Sequence, residues 1–239
     1  MTAHSTGLAG RTAIVTGGAS GIGAVLVSRL RALDVKVAVL DVRPAPFADL
    51  SLELDVGDAE AVHAAVQKVA FELGPPTLAV HSAGITRDAV LWKLHADDWN
   101  AVLRVNLSGA WHLLKALVPH LRAAGDGSVV LVGSINGARG KLGQAAYSAS
   151  KAGVVGLAKT AARELGRFGV RVNVVAPGFV DTPMTAALGE EWRAKAIAET
   201  PLQRVATAED VAGAIVFLLS HSARHVTGNV LNVDGGQDM

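Results

Sequence analysis

The chain has 239 residues, half of them hydrophobic and 18% charged, with a net charge of +1; it can bury a large core and offers no electrostatic case for nucleic acid or a membrane surface. It contains no cysteine, which excludes disulfides and thiolate metal ligands, and its eight histidines form no pair with acidic residues at metal-ligand spacing. MTAHSTGLAGR lacks the apolar segment of a signal peptide, and the stretch 211–223 is too short to span a bilayer, so a soluble cytoplasmic protein without membrane or nucleic-acid partners is expected.

In chain order, TAIVTG (12–17) reads as a strand that runs into a glycine-rich turn and a helix over 21–33. VKVAVLD (35–41) is the second strand. The third, LSLELD (50–55), follows after about nine residues that include Pro44 and Pro46, too few for a helical crossover, so a loop is expected there. A helix over 58–73 opens on Asp58 as N-cap and stops at GPP (74–76). TLAVHSA (77–83), a helix over 97–123, GSVVLVGS (127–134), a helix over 147–168 and VRVNVVAP (170–177) continue the alternation. The last helix, 207–220, opens on Thr207 with Asp210 in its first turn, and NVLNVDG (229–235) closes the series. Nearly continuous apolar strands alternating with helices predict one α/β domain over 1–239, a doubly wound parallel sheet (Rossmann fold) of about seven strands flanked by helices.

The turn TGGASGIG (16–23) lies between a strand and a helix. Gly17, Gly21 and Gly23 permit a tight turn, close approach of a pyrophosphate to the backbone, and tight packing of the helix on the sheet. A glycine-rich turn alone is often only a turn; in the first unit of an alternating chain it predicts a dinucleotide site. Asp41, 18 residues after Gly23, can accept hydrogen bonds from both adenosine ribose hydroxyls and would repel a 2′-phosphate. Val42 and Ser20 offer no compensating charge and Arg43 is the one dissenting residue, so NAD(H) is expected over NADP(H). Asp55 fits either a bond to the adenine amino group or a place ahead of a helix cap.

Tyr147, the only tyrosine, stands four residues before Lys151 in QAAYSASKAG, so the two share one helix face among small side chains. A phenol near pKa 10 is a poor base at neutral pH, and a neighbouring ammonium is expected to lower it. Ser134 ends a strand at the carboxyl edge of the sheet, where its hydroxyl can donate to a substrate carbonyl oxygen. Either pair alone means little; joined to the glycine loop they describe one site.

Thr16-Gly17…Gly21-Ile22-Gly23, Ser134 and Tyr147-Ser148-Ala149-Ser150-Lys151 resemble the motifs of the short-chain dehydrogenase/reductase family, along the whole chain. The resemblance implies that Ser134, Tyr147, Lys151 and Asn106 are catalytic, with Asn106 holding a water that links Lys151 to solvent. It implies a cofactor site formed by Gly17, Ser20, Gly21, Ile22, Gly23, Asp41, Asp55, Val56, Ala83, Gly84, Tyr147, Lys151, Pro177, Gly178, Val180 and Thr182. It further implies hydride transfer between nicotinamide and a carbonyl carbon, and a homotetramer built through the helices at 90–121 and after Tyr147. The family's NNAG is here His81-Ser82-Ala83-Gly84, and His81 is expected to be a satisfied interior side chain.

Within the family, GITRDAVLWKLHADDWNAVLRVNLSG (84–109), GQAAYSASKAGVVGLAKTAARELGRFGVRVNVVAPGFVDTPMT (143–185) and VTGNVLNVDGG (226–236) are similar to β-ketoacyl-thioester reductases, and 161–185 is also similar to the NAD-dependent branch with 17β-hydroxysteroid dehydrogenase activities. The resemblance implies a 3-oxoacyl-thioester reductase or 3-hydroxyacyl dehydrogenase acting on a small-molecule carbonyl or alcohol, presented as acyl-CoA or on acyl carrier protein. A dehydrogenase of free secondary alcohols, cyclic ketones or steroids is the second reading, and a catalytically silent NAD-binding scaffold the third. Gly125 and Phe168 stand where carrier-protein reductases place docking arginines, with Arg122 and Arg167 beside them. A substrate loop is expected over 184–202.

Overall fold

The computed structural model describes residues 6–186 and 189–239. Seven parallel strands form one sheet in the order β3-β2-β1-β4-β5-β6-β9: β1 (Thr12–Thr16), β2 (Lys36–Asp41), β3 (Leu50–Glu53), β4 (Pro76–His81), β5 (Gly127–Val132), β6 (Val170–Pro177) and β9 (Val230–Val233). A parallel pair, β7 (Val180–Asp181) with β8 (Ala206–Thr207), stands apart and has no counterpart in the sequence reading, because two-residue strands carry no periodic signal. The segment between β2 and β3 holds no helix, as its length and prolines require.

Helices α1 (Gly21–Ala32) and α9 (Ala208–Leu219) cover one face of the sheet, and α2 (Ala59–Glu72), α4 (Gly109–Ala124) and α6 (Ala145–Leu165) the other. Alternate strand residues feed the two cores: Ile14 packs with Leu113, Leu117 and Leu121, while Ala13 and Val15 pack with Leu26, Leu30 and Ile215. Each of these leucines is fully buried, worth about 1.5–3 kcal/mol apiece. Asp58 caps α2 by accepting from the amides of Glu60 and Ala61, and Thr207 and Asp210 form a reciprocal capping box on α9.

The single helix expected over 97–123 is three segments: α3 (Ala96–Leu103), five π-helical residues Arg104–Ser108, and α4. The widened turn is held by Asn106, whose side chain takes both backbone groups of Ile85: Oδ1 accepts from the amide at 2.8 Å and Nδ2 donates to the carbonyl at 3.0 Å. The substrate-loop region contains two helices, α7 (Pro183–Ala186) and α8 (Glu190–Glu199), while Ala187 and Leu188 within it lie outside the described residues. A short α5 (Asn136–Arg139) follows Ser134. Among the described residues no helix is long and apolar enough to cross a membrane.

Candidate active site

Strand order reverses between β1 and β4, and the loops after these strands open a crevice at the carboxyl edge. One side of it is a cavity of about 490 Å³ lined by Gly17, Ser20, Gly21, Ile22, Asp41, Asp55, Val56, Ala83, Gly84 and Thr182. The glycine loop is a cradle closed to side chains at Gly17 and Gly23. A methyl group on Gly17 (φ +67) would lie 2.5 Å from the Ala83 amide nitrogen, and one on Gly23 would lie 2.2 Å from the Gly17 carbonyl oxygen. Ser20 precedes α1 without a side-chain cap, so the first amides of that helix stay open towards the crevice. The side chain of Thr182 lies 3.6 Å from where a Gly21 Cβ would stand, which brings the far end of the chain over the loop. These features fit the pyrophosphate of a nicotinamide dinucleotide. Pro177 ends β6, Gly178 lines the neighbouring cavity, and Val180 is buried in β7.

Asp41 is 7% exposed, and its carboxylate accepts from the amides of Ala19 (3.0 Å) and Arg43 (3.1 Å). The exposed Arg43 guanidinium lies 3.8 Å from Asp41 and donates to Ser20 Oγ at 2.6 Å. Asp55 has both oxygens engaged, one by the Gly57 amide at 2.8 Å and the other by Arg104 at 2.7 Å. Burial raises its pKa, but the Gly57 amide and the Arg104 guanidinium outweigh this and hold it below the ordinary value. Asp55 therefore anchors the turn ahead of α2 and ties the π-helical segment to the cavity wall.

The other side of the crevice is a cavity of about 470 Å³ that contains both Ser134 and Tyr147. Ser134 follows β5 and accepts from the Asn136 amide at 3.1 Å. Tyr147 sits in the first turn of α6. Lys151, one turn on, is buried, and its ammonium donates to the Val132 carbonyl at 2.8 Å while lying 5.6 Å from the Tyr147 ring centroid. Burial lowers the Lys151 pKa to about 8. Desolvation pushes the Tyr147 phenol above its ordinary value; a hydrogen bond from Ser134 pulls it back, and Asp88 pushes it further up. The expected lowering of the phenol by Lys151 is thus not met here, because the ammonium points to the strand end and is itself weakened by burial.

Asn106 and Lys151 converge on Gly84, each 3.5 Å from where its Cβ would be, and Asn106 Nδ2 also donates to Ser150 Oγ at 3.0 Å. Asn106 and Lys151 make no direct hydrogen bond. His81 is fully buried, with Nδ1 2.9 Å from Thr16 Oγ1, but Nε2 has no partner among the described residues. It is an interior side chain; burial, helped by the nearby Lys151 charge, lowers its pKa to about 3, while the backbone of Asn106 and Val105 favours the charged ring.

The expected substrate loop supplies Met184, Trp192 and Lys195 to the substrate wall, but Asp88 and Gln144 there were not foreseen from the sequence. Gln144 donates to Asp88 at 2.9 Å and accepts from Asn136 at 3.0 Å, which fixes the 86–90 segment over the start of α6. Trp192 and Lys195 on α8 and Met184 on α7 complete that wall. The one available signal was Gln144, a helical turn ahead of Tyr147 in the quoted motif. Gly125 and Phe168 lie at the opposite, amino-terminal edge of the sheet from Ser134, next to the start of β5 and β6, so neither flanks this chain's own cleft. Arg122 and Arg167 both stack on Phe168, 4.6 and 4.8 Å from its centroid, and Arg171 is spent on the carbonyls that end α9.

The family model described as enoyl-(acyl carrier protein) reductase matches residues 17–238. The chain is 44% identical over 234 residues to an acetoacetyl-CoA reductase of Synechocystis sp., covering 97% of this chain and 98% of that protein. It is 39% identical over 241 residues to the 3-oxoacyl-[acyl-carrier-protein] reductase FabG of Thermotoga maritima, covering 96% and 98%. The solved aldohexose dehydrogenase of Thermoplasma acidophilum superposes with a TM-score of 0.91 at 29% identity, over 97% of this chain and 95% of that one.

Proposed function

Because the chain belongs to the short-chain dehydrogenase/reductase family, and is thus an oxidoreductase of carbonyl and alcohol groups, we propose that it reduces 3-oxoacyl thioesters with NADH, or oxidises the 3-hydroxyacyl products. The observation that carries this reading is the single crevice in which a glycine cradle adjoins a cavity holding Ser134 and Tyr147 with Lys151 buried behind them. A nicotinamide bound there supplies the hydride.

The chain's own groups do the rest. Ser134 donates to the substrate oxygen and holds it beside the Tyr147 phenol. The phenol, kept protonated by its raised pKa, gives its proton to that oxygen as charge develops. Lys151 is held behind the phenol by its bond to the Val132 carbonyl, and Asn106 ties the π-helical segment to Ser150 of the helix that carries both. NAD(H) is favoured over NADP(H) because Asp41 closes the adenosine end with a buried carboxylate. Assembly as a homotetramer through the outer faces of α4 and α6 draws on the half-exposed Trp111 of α4.

The second reading, oxidation of free secondary alcohols, draws on the fold neighbour and on the polar Asp88–Gln144–Asn136 wall. Initial rates on acetoacetyl-CoA, a carrier-bound 3-oxoacyl thioester, cyclic ketones and sugars decide between them. Tyr147→Phe should cut kcat by about 10²–10⁴-fold while NADH binding persists. A Phe variant with half the wild-type rate refutes the assignment of the acid, and a preference for free alcohols replaces the first reading with the second.

A further inference from the structure

Five charged side chains line the substrate-side cavity: Asp88, Arg139, Lys141, Lys195 and Glu199. Asp88 accepts from Thr86 and Gln144. Glu199 accepts from Gln237 and lies 4.0 Å from Arg139, which is also bonded to the Asn136 side chain and the Gln237 carbonyl. Lys141 and Lys195 have no acidic partner among the described residues. Both ammoniums instead lie over the Trp192 ring, 5.3 and 5.6 Å from its centroid. Lys141 comes from the loop before α6, whereas Trp192 and Lys195 come from α8, so the indole joins two walls of the cavity.

We propose that Lys141 and Lys195 bind the phosphate at the end of the pantetheine arm of a thioester substrate, with the Trp192 indole packed along the arm. This rests on the thioester reading above. Coenzyme A and a carrier protein both present acyl groups on pantetheine that ends in a phosphate ester. Two ammoniums without counter-charge suit that anion, and a part-exposed indole suits the amide-and-methyl chain before it. Free ketones and sugars offer neither, so the cluster selects for the handle and not for the acyl group.

The test uses the whole enzyme and one acyl group on three handles: acetoacetyl-pantetheine, acetoacetyl-4′-phosphopantetheine and acetoacetyl-CoA. KM should fall by about tenfold or more from the first to the second, and Lys141→Ala/Lys195→Ala should abolish that step. No step in the wild type, or a step that survives the double substitution, overturns the proposal. Coenzyme A and carrier-bound thioesters, compared in both proteins, show which source the lysines serve, and a loss in neither overturns it. If no thioester is reduced, the thioester reading has failed. Calorimetric titration of 4′-phosphopantetheine into NAD⁺-saturated protein still reads the site: binding lost in the double variant supports it, and no binding to the wild type refutes it.

Discussion

Replacing Lys151 by Met should stabilise the protein at neutral pH even as it removes activity. The ammonium is buried, and its pKa falls from 10.5 to about 8. At about 1.4 kcal/mol per unit, the folded state bears a charge-burial cost on the order of 3 kcal/mol near pH 7. Methionine fills similar volume without a charge but gives up the charge-assisted bond to the Val132 carbonyl, a loss of about 1.5–3 kcal/mol. The balance is a gain of up to about 1.5 kcal/mol, or roughly 2–4 °C in Tm per kcal/mol for a chain of this size.

The pH dependence distinguishes this from ordinary repacking. Below pH 8 the lysine is protonated whether the chain is folded or not, and the full cost is present. Between about 8 and 10.5 the folded protein has released its proton and the unfolded chain has not, so wild-type stability rises relative to the variant. Above 10.5 the cost is gone. Urea denaturation at pH 7, 8, 9 and 10.5, at one fixed protein concentration, should show an advantage for Lys151→Met that shrinks steadily with pH. A pH-independent difference, or a variant less stable at pH 7, refutes the reasoning.

Three other outcomes are expected. NADH should be preferred to NADPH by at least about tenfold in kcat/KM; Asp41→Ala should erase much of that preference and Arg43→Ala should deepen it, whereas equal use by the wild type sinks the Asp41 assignment. Gly23→Ala, which sets a methyl 2.2 Å from a backbone oxygen, should abolish NADH binding in a fluorescence titration, and normal affinity would show that the cradle can open. Light scattering at micromolar concentration should return the mass of a tetramer, and a monomer would remove the role given to the α4 and α6 faces.

The sheet was legible because its strands are apolar runs bounded by glycine, proline and caps, so Ile14, Leu40, Val130 and Val174 announce themselves. Ser134, Tyr147 and Lys151 were legible because each sits at a fixed place relative to a strand end or helix turn. The sign of the Tyr147 shift was not, since it depends on how much solvent the neighbouring loops exclude. Nor was the meeting of Asp88, Gln144 and Trp192 in one wall, since they come from the 86–90 segment, the start of α6 and α8 with no common period. Arg122 and Arg167 look close to the site along the chain, yet each lies a full strand length from Ser134.

The five π-helical residues at Arg104–Ser108 have a consequence for tolerance to insertion and deletion. A π turn holds one residue more than an α turn, so removing any one of the five would let α3 and α4 fuse into a regular helix with every backbone bond restored. Locally the deletion looks harmless. The helix beyond keeps its facing, because the widened turn absorbs the extra residue: Leu113, Leu117 and Leu121 stay in the core, while Asn106, inside that turn, loses its reach to Ile85. The extra residue thus serves the site and not the core, and losing it costs Asn106 its hold on Ile85 while the packing of α4 survives.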